Sequence, residues 1–180
     1  ELFSLLEQAA ANRSDLSFHI LSNGQHFSKE DRQRLKNIHG VIEVLWGVPL
    51  YSSSAEEHDE IVKKMGAFDN LIENLYTLAS SGGAIELRTV LMKKNITSLP
   101  LLAKFIANNC QFIAFWAIMG LEPIGYAKSF RDELFFDHSQ FFTPIKNAIE
   151  IAKLHNIHVA LYNFPLCTVP KEYRESCVDS

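Results

Sequence analysis

The sequence predicts an α/β fold in which about five parallel strands are covered by helices. Two observations predict it. Apolar segments of strand length alternate with helical periodicities along the chain, and the strand centres recur about every 25 to 45 residues, room for a strand, a crossover helix and two loops. No linker or low-complexity segment divides the 180 residues, which suffice for one domain, residues 1–180, with a sizeable core. Such alternation calls for a parallel sheet with right-handed crossovers, closed as a βα barrel or open as a doubly wound sheet.

Each element has a local reason. "ELFSLLEQAAAN" spaces Leu2, Leu5, Leu6 and Ala9 helically, so the chain opens inside a helix. "LSFHIL" is a short strand closed by the turn "SNG". "SKEDRQRLKNI" predicts a helix, with Ser28 as N-cap and Asp31 three residues on approximating a capping box. "VIEVLWGVPLY" is the second strand, and helix follows from Ala55 to Ala79 with an interruption near Gly66. "SGG" ends it, "AIELRTVLM" is the third strand, and "SLPLLAKFIANN" is a helix with Pro100 in its first turn. "FIAFWAIMG" is the fourth strand, and a polar loop containing "EPIGYAK" leads to the helix "SQFFTPIKNAIEIAKLHN", with Pro144 marking its start or a kink. "IHVALYN" is the fifth strand, and "PKEYRESCVDS" predicts the beginning of a last helix.

Strands buried on both faces should be almost wholly apolar; several here are not. Leu16, Phe18 and Ile20 share one face of their strand, Ser17 and His19 the other. Ile85, Leu87, Thr89 and Leu91 alternate with Glu86, Arg88, Val90 and Met92, while Ile157, Val159 and Leu161 oppose His158, Ala160 and Tyr162. Glu43 follows suit in the second strand. The apolar sets are assigned to the helix layer and the polar sets to the opposite face. An unpaired buried charge is costly, so Glu86 and Arg88 are expected to be paired or to face a solvated ligand pocket. Ligands of such folds sit beyond the carboxyl ends of the strands.

Composition narrows the function. A net charge of −4 with a pI near 6.0 leaves no footprint for nucleic acid, and the longest apolar run, Phe112 to Leu121, is about half a membrane span. Three cysteines, Cys110, Cys167 and Cys177, form neither a disulfide framework nor a CxxC pair, so a cytoplasmic setting is the default expectation. Glu1 stands inside a helical pattern without an initiator Met, which suggests a piece of a longer chain. The acidic knot "EEHDE" (Glu56 to Glu60) is read as a helix start favoured by the helix dipole, because His58 shares its face with Ser54, Ile61 and Val62 rather than with metal ligands. His155 and His158 straddle a helix-to-strand junction and diverge; no metal site is expected.

The motifs occur in a recognisable order. "HILSNG", a strand ending in "PLYSS", the segment "HDEIVKKMGAFDNLIENLYTLASSGGAIELRTVLMKKN" and "EPIGYA" resemble the latter part of a radical SAM enzyme, in which a "TNG" turn closes the third strand and a "P-x-G-x-A" loop follows the sixth. Within that superfamily, "GVPLYSSSAEEHD", "GAFDNL", "IMGLEPIGYAK" and "YNFPLC" look most like the maturase of the His-Xaa-Ser system. The resemblance implies a partial (β/α) TIM-like barrel and a parent enzyme that reductively cleaves S-adenosylmethionine to a 5′-deoxyadenosyl radical, which abstracts hydrogen from a peptide or small protein. It also implies that the 4Fe-4S cluster motif, CxxxCxxC, and the "GGE" segment belong to an N-terminal part of the barrel that this sequence does not contain. By itself this piece is expected to be inactive, to bind no cluster or cofactor, and to need that missing part as partner.

The resemblance carries over one side of the cofactor pocket and no catalytic residue. Ser22 and Asn23 match the "TNG" turn. Pro49 and Tyr51 fall where the family often has Ser and Asp near the ribose, with Ser52 able to compensate. Arg88 holds a position often filled by Asn and is assigned to the carboxylate or ribose of the cofactor. Met119 and Gly120 would flank the adenine. Cys167 and Cys177 are weighed as auxiliary-cluster ligands against plain loop residues. Two other classes compete: a metal-dependent TIM-barrel hydrolase using His19, His158, Glu43 or Glu86, and a non-catalytic α/β binding module.

Overall fold

A computed structural model describes residues 2–12 and 15–178. Five strands, β1 (Ser17–Leu21), β2 (Glu43–Pro49), β3 (Ala84–Val90), β4 (Phe115–Met119) and β5 (Val159–Tyr162), form one sheet in the order of the chain. Every pairing is parallel. The helices are α1 (Leu2–Asn12), α2 (Arg32–His39), α3 (Ala55–Val62), α4 (Ala67–Ser80), α5 (Leu99–Asn109), α6 (Tyr126–Ser129), α7 (Arg131–Leu134) and α8 (Phe142–Leu154). Strand order that follows chain order with helical crossovers is the geometry of an unclosed (β/α) barrel, as the sequence predicts.

The apolar strand faces lie under the helices. Trp46, Val48, Ile85, Leu87, Trp116, Ile118 and Leu161 are buried there with Leu35, Leu75, Ile106 and Ile149 from α2, α4, α5 and α8. Each such side chain contributes about 1.5–3 kcal/mol by leaving water. Thr89, a polar side chain buried in that layer, is satisfied: it donates to the Leu50 carbonyl at 2.7 Å and accepts from the indole N–H of Trp116 at 2.9 Å.

Local chemistry explains the helix boundaries. Ser54 caps α3 by accepting the Glu57 N–H, and the helix ends where Lys63 turns left-handed at φ 57°. Gly66, at φ 74°, then starts α4. The carboxylate of Asp59 accepts N–H groups of Gly66 and Phe68, so a residue of the acidic knot caps the following helix. Pro144 sits in the first turn of α8, whose free N–H positions tolerate it.

The capping box expected at Ser28 and Asp31 is present, with Asp31 accepting the Ser28 N–H at 3.1 Å, and the helical segment opens with a 3₁₀ turn over Lys29–Asp31 before α2. Two expectations need correction. The loop after β4 is not irregular throughout, since α6 and α7 lie in it. "PKEYRESCVDS" does not begin an α-helix. Lys171–Ser176 form 3₁₀ turns, after which Cys177 bridges in parallel to Leu161, with the Val178 N–H on the Leu161 carbonyl at 2.9 Å. A backbone edge offered by β5 outcompeted the helical pattern. The expected opening helix runs from Leu2; Glu1 lies outside the described residues.

Candidate functional site

The strand faces turned away from the helices carry the polar residues. Register places Gly47 beside both Leu21 and Glu86, and Arg88 beside both Pro49 and Ala117. Glu86 has its side chain 1% exposed and holds two cations or potential cations at once. Its Oε1 accepts from Nη1 of Arg88 at 2.9 Å, and its Oε2 lies 2.6 Å from Nε2 of His19. His19 reaches it from two strands away because β2 offers only Gly47 in between. A Cβ on Gly47 would lie 2.6 Å from Leu21 Cδ2, 3.1 Å from Arg88 Cδ and 3.3 Å from Glu86 Oε2. The sequence left open whether Glu86 and Arg88 pair or face a pocket. They do both.

The guanidinium of Arg88 makes no further hydrogen bond among the described residues, and the side chain remains 23% exposed at a cavity of about 380 Å³. Ser22, Asn23, Tyr51 and Met119 line the same cavity at the carboxyl ends of the strands. Burial pushes the Tyr51 phenol up, with Arg88 partly offsetting it, so Tyr51 enters the site as a neutral hydrogen-bonding group. Its loop is held by His58, which burial keeps neutral and whose Nδ1 accepts the Tyr51 N–H at 3.3 Å.

Two assigned residues stand elsewhere. Ser52 is 1% exposed; it donates to Glu57 and accepts the Ser54 N–H at 3.0 Å, so its hydroxyl serves the start of α3. Ser98 joins it on the Glu57 carboxylate at 3.0 Å. Gly120 donates its N–H to Tyr162 at 2.8 Å, and an added Cβ would meet the Asn163 carbonyl at 2.4 Å and His138 at 2.9 Å. It thus closes the gap between the loops after β4 and β5.

The donors needed for a metal do not converge. Among the described residues no group of three His, Cys, Asp or Glu side chains is placed to hold an ion. Of the four residues weighed for a hydrolase, His19 and Glu86 meet, whereas His158 packs against Phe115 at 6.4 Å between ring centres. Cys110 is buried, Cys167 is exposed and Cys177 is half-buried. No helix among the described residues is long and apolar enough to cross a membrane.

Two structural features of the strand ends escaped the sequence reading. Gly47 carried a signal, since a glycine inside a strand often marks a close approach. His138, buried beside Gly120, lies in a segment without periodicity and carried none.

No family model matches the chain, and no curated protein matches it. Several solved structures share its fold. A domain of pyruvate-formate lyase-activating enzyme from Bacteroides vulgatus superposes with a TM-score of 0.63 at 11% identity, over 89% of this chain and 88% of that one. Streptococcus suis SuiB, bound to its precursor peptide SuiA, superposes with a TM-score of 0.69 at 14% identity, over 97% of this chain and 40% of SuiB. The chain therefore spans well under half the length of SuiB.

Proposed function

We propose that this chain is the C-terminal part of a radical SAM core barrel from an enzyme that modifies a peptide or small protein, of the His-Xaa-Ser maturase type. Both structural neighbours are radical SAM enzymes, and one of them was crystallised with a precursor peptide. The ordered motifs from "SNG" to "EPIGYA" support the same reading. In this proposal residues 1–180 act as one unit, and the outer edge of β1 pairs with the missing N-terminal part of the barrel.

The observation that carries the reading is the cavity at Arg88. It presents one guanidinium already anchored to Glu86, two small polar residues in a turn, a neutral phenol and a methionine, all at the carboxyl ends of parallel strands. That set fits the carboxylate, hydroxyls and base of S-adenosylmethionine, and Arg88 would hold the carboxylate or ribose. Cofactor bound to a 4Fe-4S cluster supplies radical hydrogen abstraction in such enzymes. The residues described here do not fit the cluster itself, so its ligands are assigned to the missing part. This chain's own contribution is to bind, to orient and to exclude water.

The resemblance implies that the piece alone binds no cofactor; the Arg88 cavity, formed by residues of this chain, predicts instead that it binds S-adenosylmethionine, and isothermal titration of the chain tests the proposal. Arg88→Lys keeps the charge but loses the planar fork, so binding should weaken about tenfold, the worth of one charge-assisted hydrogen bond. Absence of binding, or equal binding by the variant, contradicts it.

A further inference from the structure

Helix α4 buries a stripe of apolar residues three and four apart, Phe68, Leu71, Leu75 and Leu78, and an asparagine stands among them. Asn74 is 3% exposed on that stripe. A buried amide costs free energy unless it is hydrogen-bonded, so the helix's own packing would favour an apolar residue there. The amide is spent on the turn after β1: its Nδ2 donates to the Gly24 carbonyl at 2.7 Å. Four residues earlier on the helix, Asn70 Nδ2 donates to the Gln25 carbonyl at 3.1 Å. The turn is also closely seated. Gly24 has a left-handed φ of 70°, and a Cβ there would lie 2.4 Å from Leu71 Cδ1 and 2.8 Å from Val48 Cγ1. Its upstream end is tied to the sheet by the Ser22 N–H on the Gly47 carbonyl at 3.0 Å.

Within the turn, the Gly24 N–H donates to Ser22 Oγ at 3.2 Å and the Gln25 N–H to Asn23 Oδ1 at 3.1 Å. With those oxygens engaged as acceptors, Ser22 keeps its hydroxyl hydrogen and Asn23 its amide NH₂ as donors for a ligand. Ser22 and Asn23 line the cavity at Arg88, and Asn74 does not. We propose that Asn74 is a positioning residue of that site: by holding the Gly24 carbonyl it fixes the turn in the geometry that brings the donors of Ser22 and Asn23 to the ligand beside Arg88. The inference rests on the S-adenosylmethionine site proposed above and adds to it a residue that never touches the cofactor.

The test combines S-adenosylmethionine affinity, by isothermal titration, with the backbone amide signals of Gly24 and Gln25, by ¹H–¹⁵N NMR without ligand. Asn74→Leu suits the apolar stripe but leaves the Gly24 carbonyl without its donor. It should weaken binding about tenfold, the worth of one buried hydrogen bond, shift both amide signals and speed their exchange with solvent. Asn74→Asp has the same shape; ionised, it sets an oxygen against the carbonyl, and protonated, it regains a donor. Its affinity relative to wild type should be low at mildly alkaline pH and recover as the pH falls, a profile that a change in core packing alone would not give. Equal binding by folded Asn74→Leu, a relative affinity of Asn74→Asp that stays level across that range, or unmoved Gly24 and Gln25 amides overturns the proposal. Should Asn74→Leu fail to fold, the profile of Asn74→Asp decides. If wild type and both variants bind S-adenosylmethionine alike, the role of Asn74 fails alone. If wild type does not bind it, the proposed function fails, and the Gly24 and Gln25 amides still decide whether Asn74 holds the turn.

Discussion

Nε2 of His19, on the edge strand, sits 2.6 Å from Oε2 of Glu86, two strands away across the backbone of Gly47. The contact exists because β2 has no side chain at that point. Gly47→Ala should therefore act on the site more than on the fold. Leu21 is exposed and can swing aside, but Arg88 Cδ and Glu86 Oε2 would have to yield. A destabilisation of about 1 kcal/mol is expected from urea unfolding, at the low end for overpacking, together with weaker S-adenosylmethionine binding. Unchanged binding would remove Gly47 from the site.

Glu86 and Arg88 should be coupled. Arg88→Leu alone leaves the buried Glu86 carboxylate with His19 as its remaining partner among the described residues, a loss of about 1–3 kcal/mol. Glu86→Leu with Arg88→Leu removes both charges and should recover most of that stability, because well-packed apolar pairs replace buried ion pairs at little cost. A double-mutant cycle by chemical denaturation measures it; additive effects would mean that the pair does not interact.

Ser52 and Arg88 should separate cleanly. Ser52→Ala leaves the Glu57 carboxylate and the Ser54 N–H each short of a partner, costing about 1–2 kcal/mol. Cofactor affinity should stay within about twofold of wild type. A large loss of affinity at wild-type stability would return Ser52 to the ribose.

His39 should give stability a pH dependence. The indole N–H of Trp46 donates to its Nε2 at 3.0 Å, and its Nδ1 lies 3.0 Å from the Ser81 carbonyl, which fixes a neutral ring with the hydrogen on Nδ1. Burial lowers its pKa in the fold, as it does for His58 and His138. Unfolded chains then bind more protons, so the stabilisation is complete above the ordinary histidine pKa of about 6.5 and is lost as pH falls through the lowered folded value. Urea unfolding at neutral and mildly acid pH should show the decline, and His39→Gln should flatten it. A stability independent of pH in that window contradicts the assignment.

Much of this architecture was legible because it is periodic. Alternation of two along "IELRTVL" put Glu86 and Arg88 together on the face away from the helices, where the structure has them. Ser22, Asn23 and Tyr51 were named only through the resemblance to the radical SAM pattern, and the structure puts all three at the Arg88 cavity. What could not be read was which partners cross between strands. The link from His19 to Glu86 depends on register and on Gly47, and neither is a local property. Ser52 looked like a ligand-facing loop residue, yet the same serine chemistry suits a helix start. The Cys177 bridge to Leu161 replaced a helix because a long-range strand edge was available.

The most direct measurement follows the three methionine methyl groups, those of Met65, Met92 and Met119, by ¹³C NMR while S-adenosylmethionine is added. Met119 lines the cavity at Arg88, whereas Met65 is 95% exposed on the loop between α3 and α4 and does not line it. A saturable shift of the Met119 signal, with Met65 unmoved and the effect lost in Arg88→Lys, is the expected result. A Met119 signal that stays in place, or one that moves no more than Met65, would contradict the site.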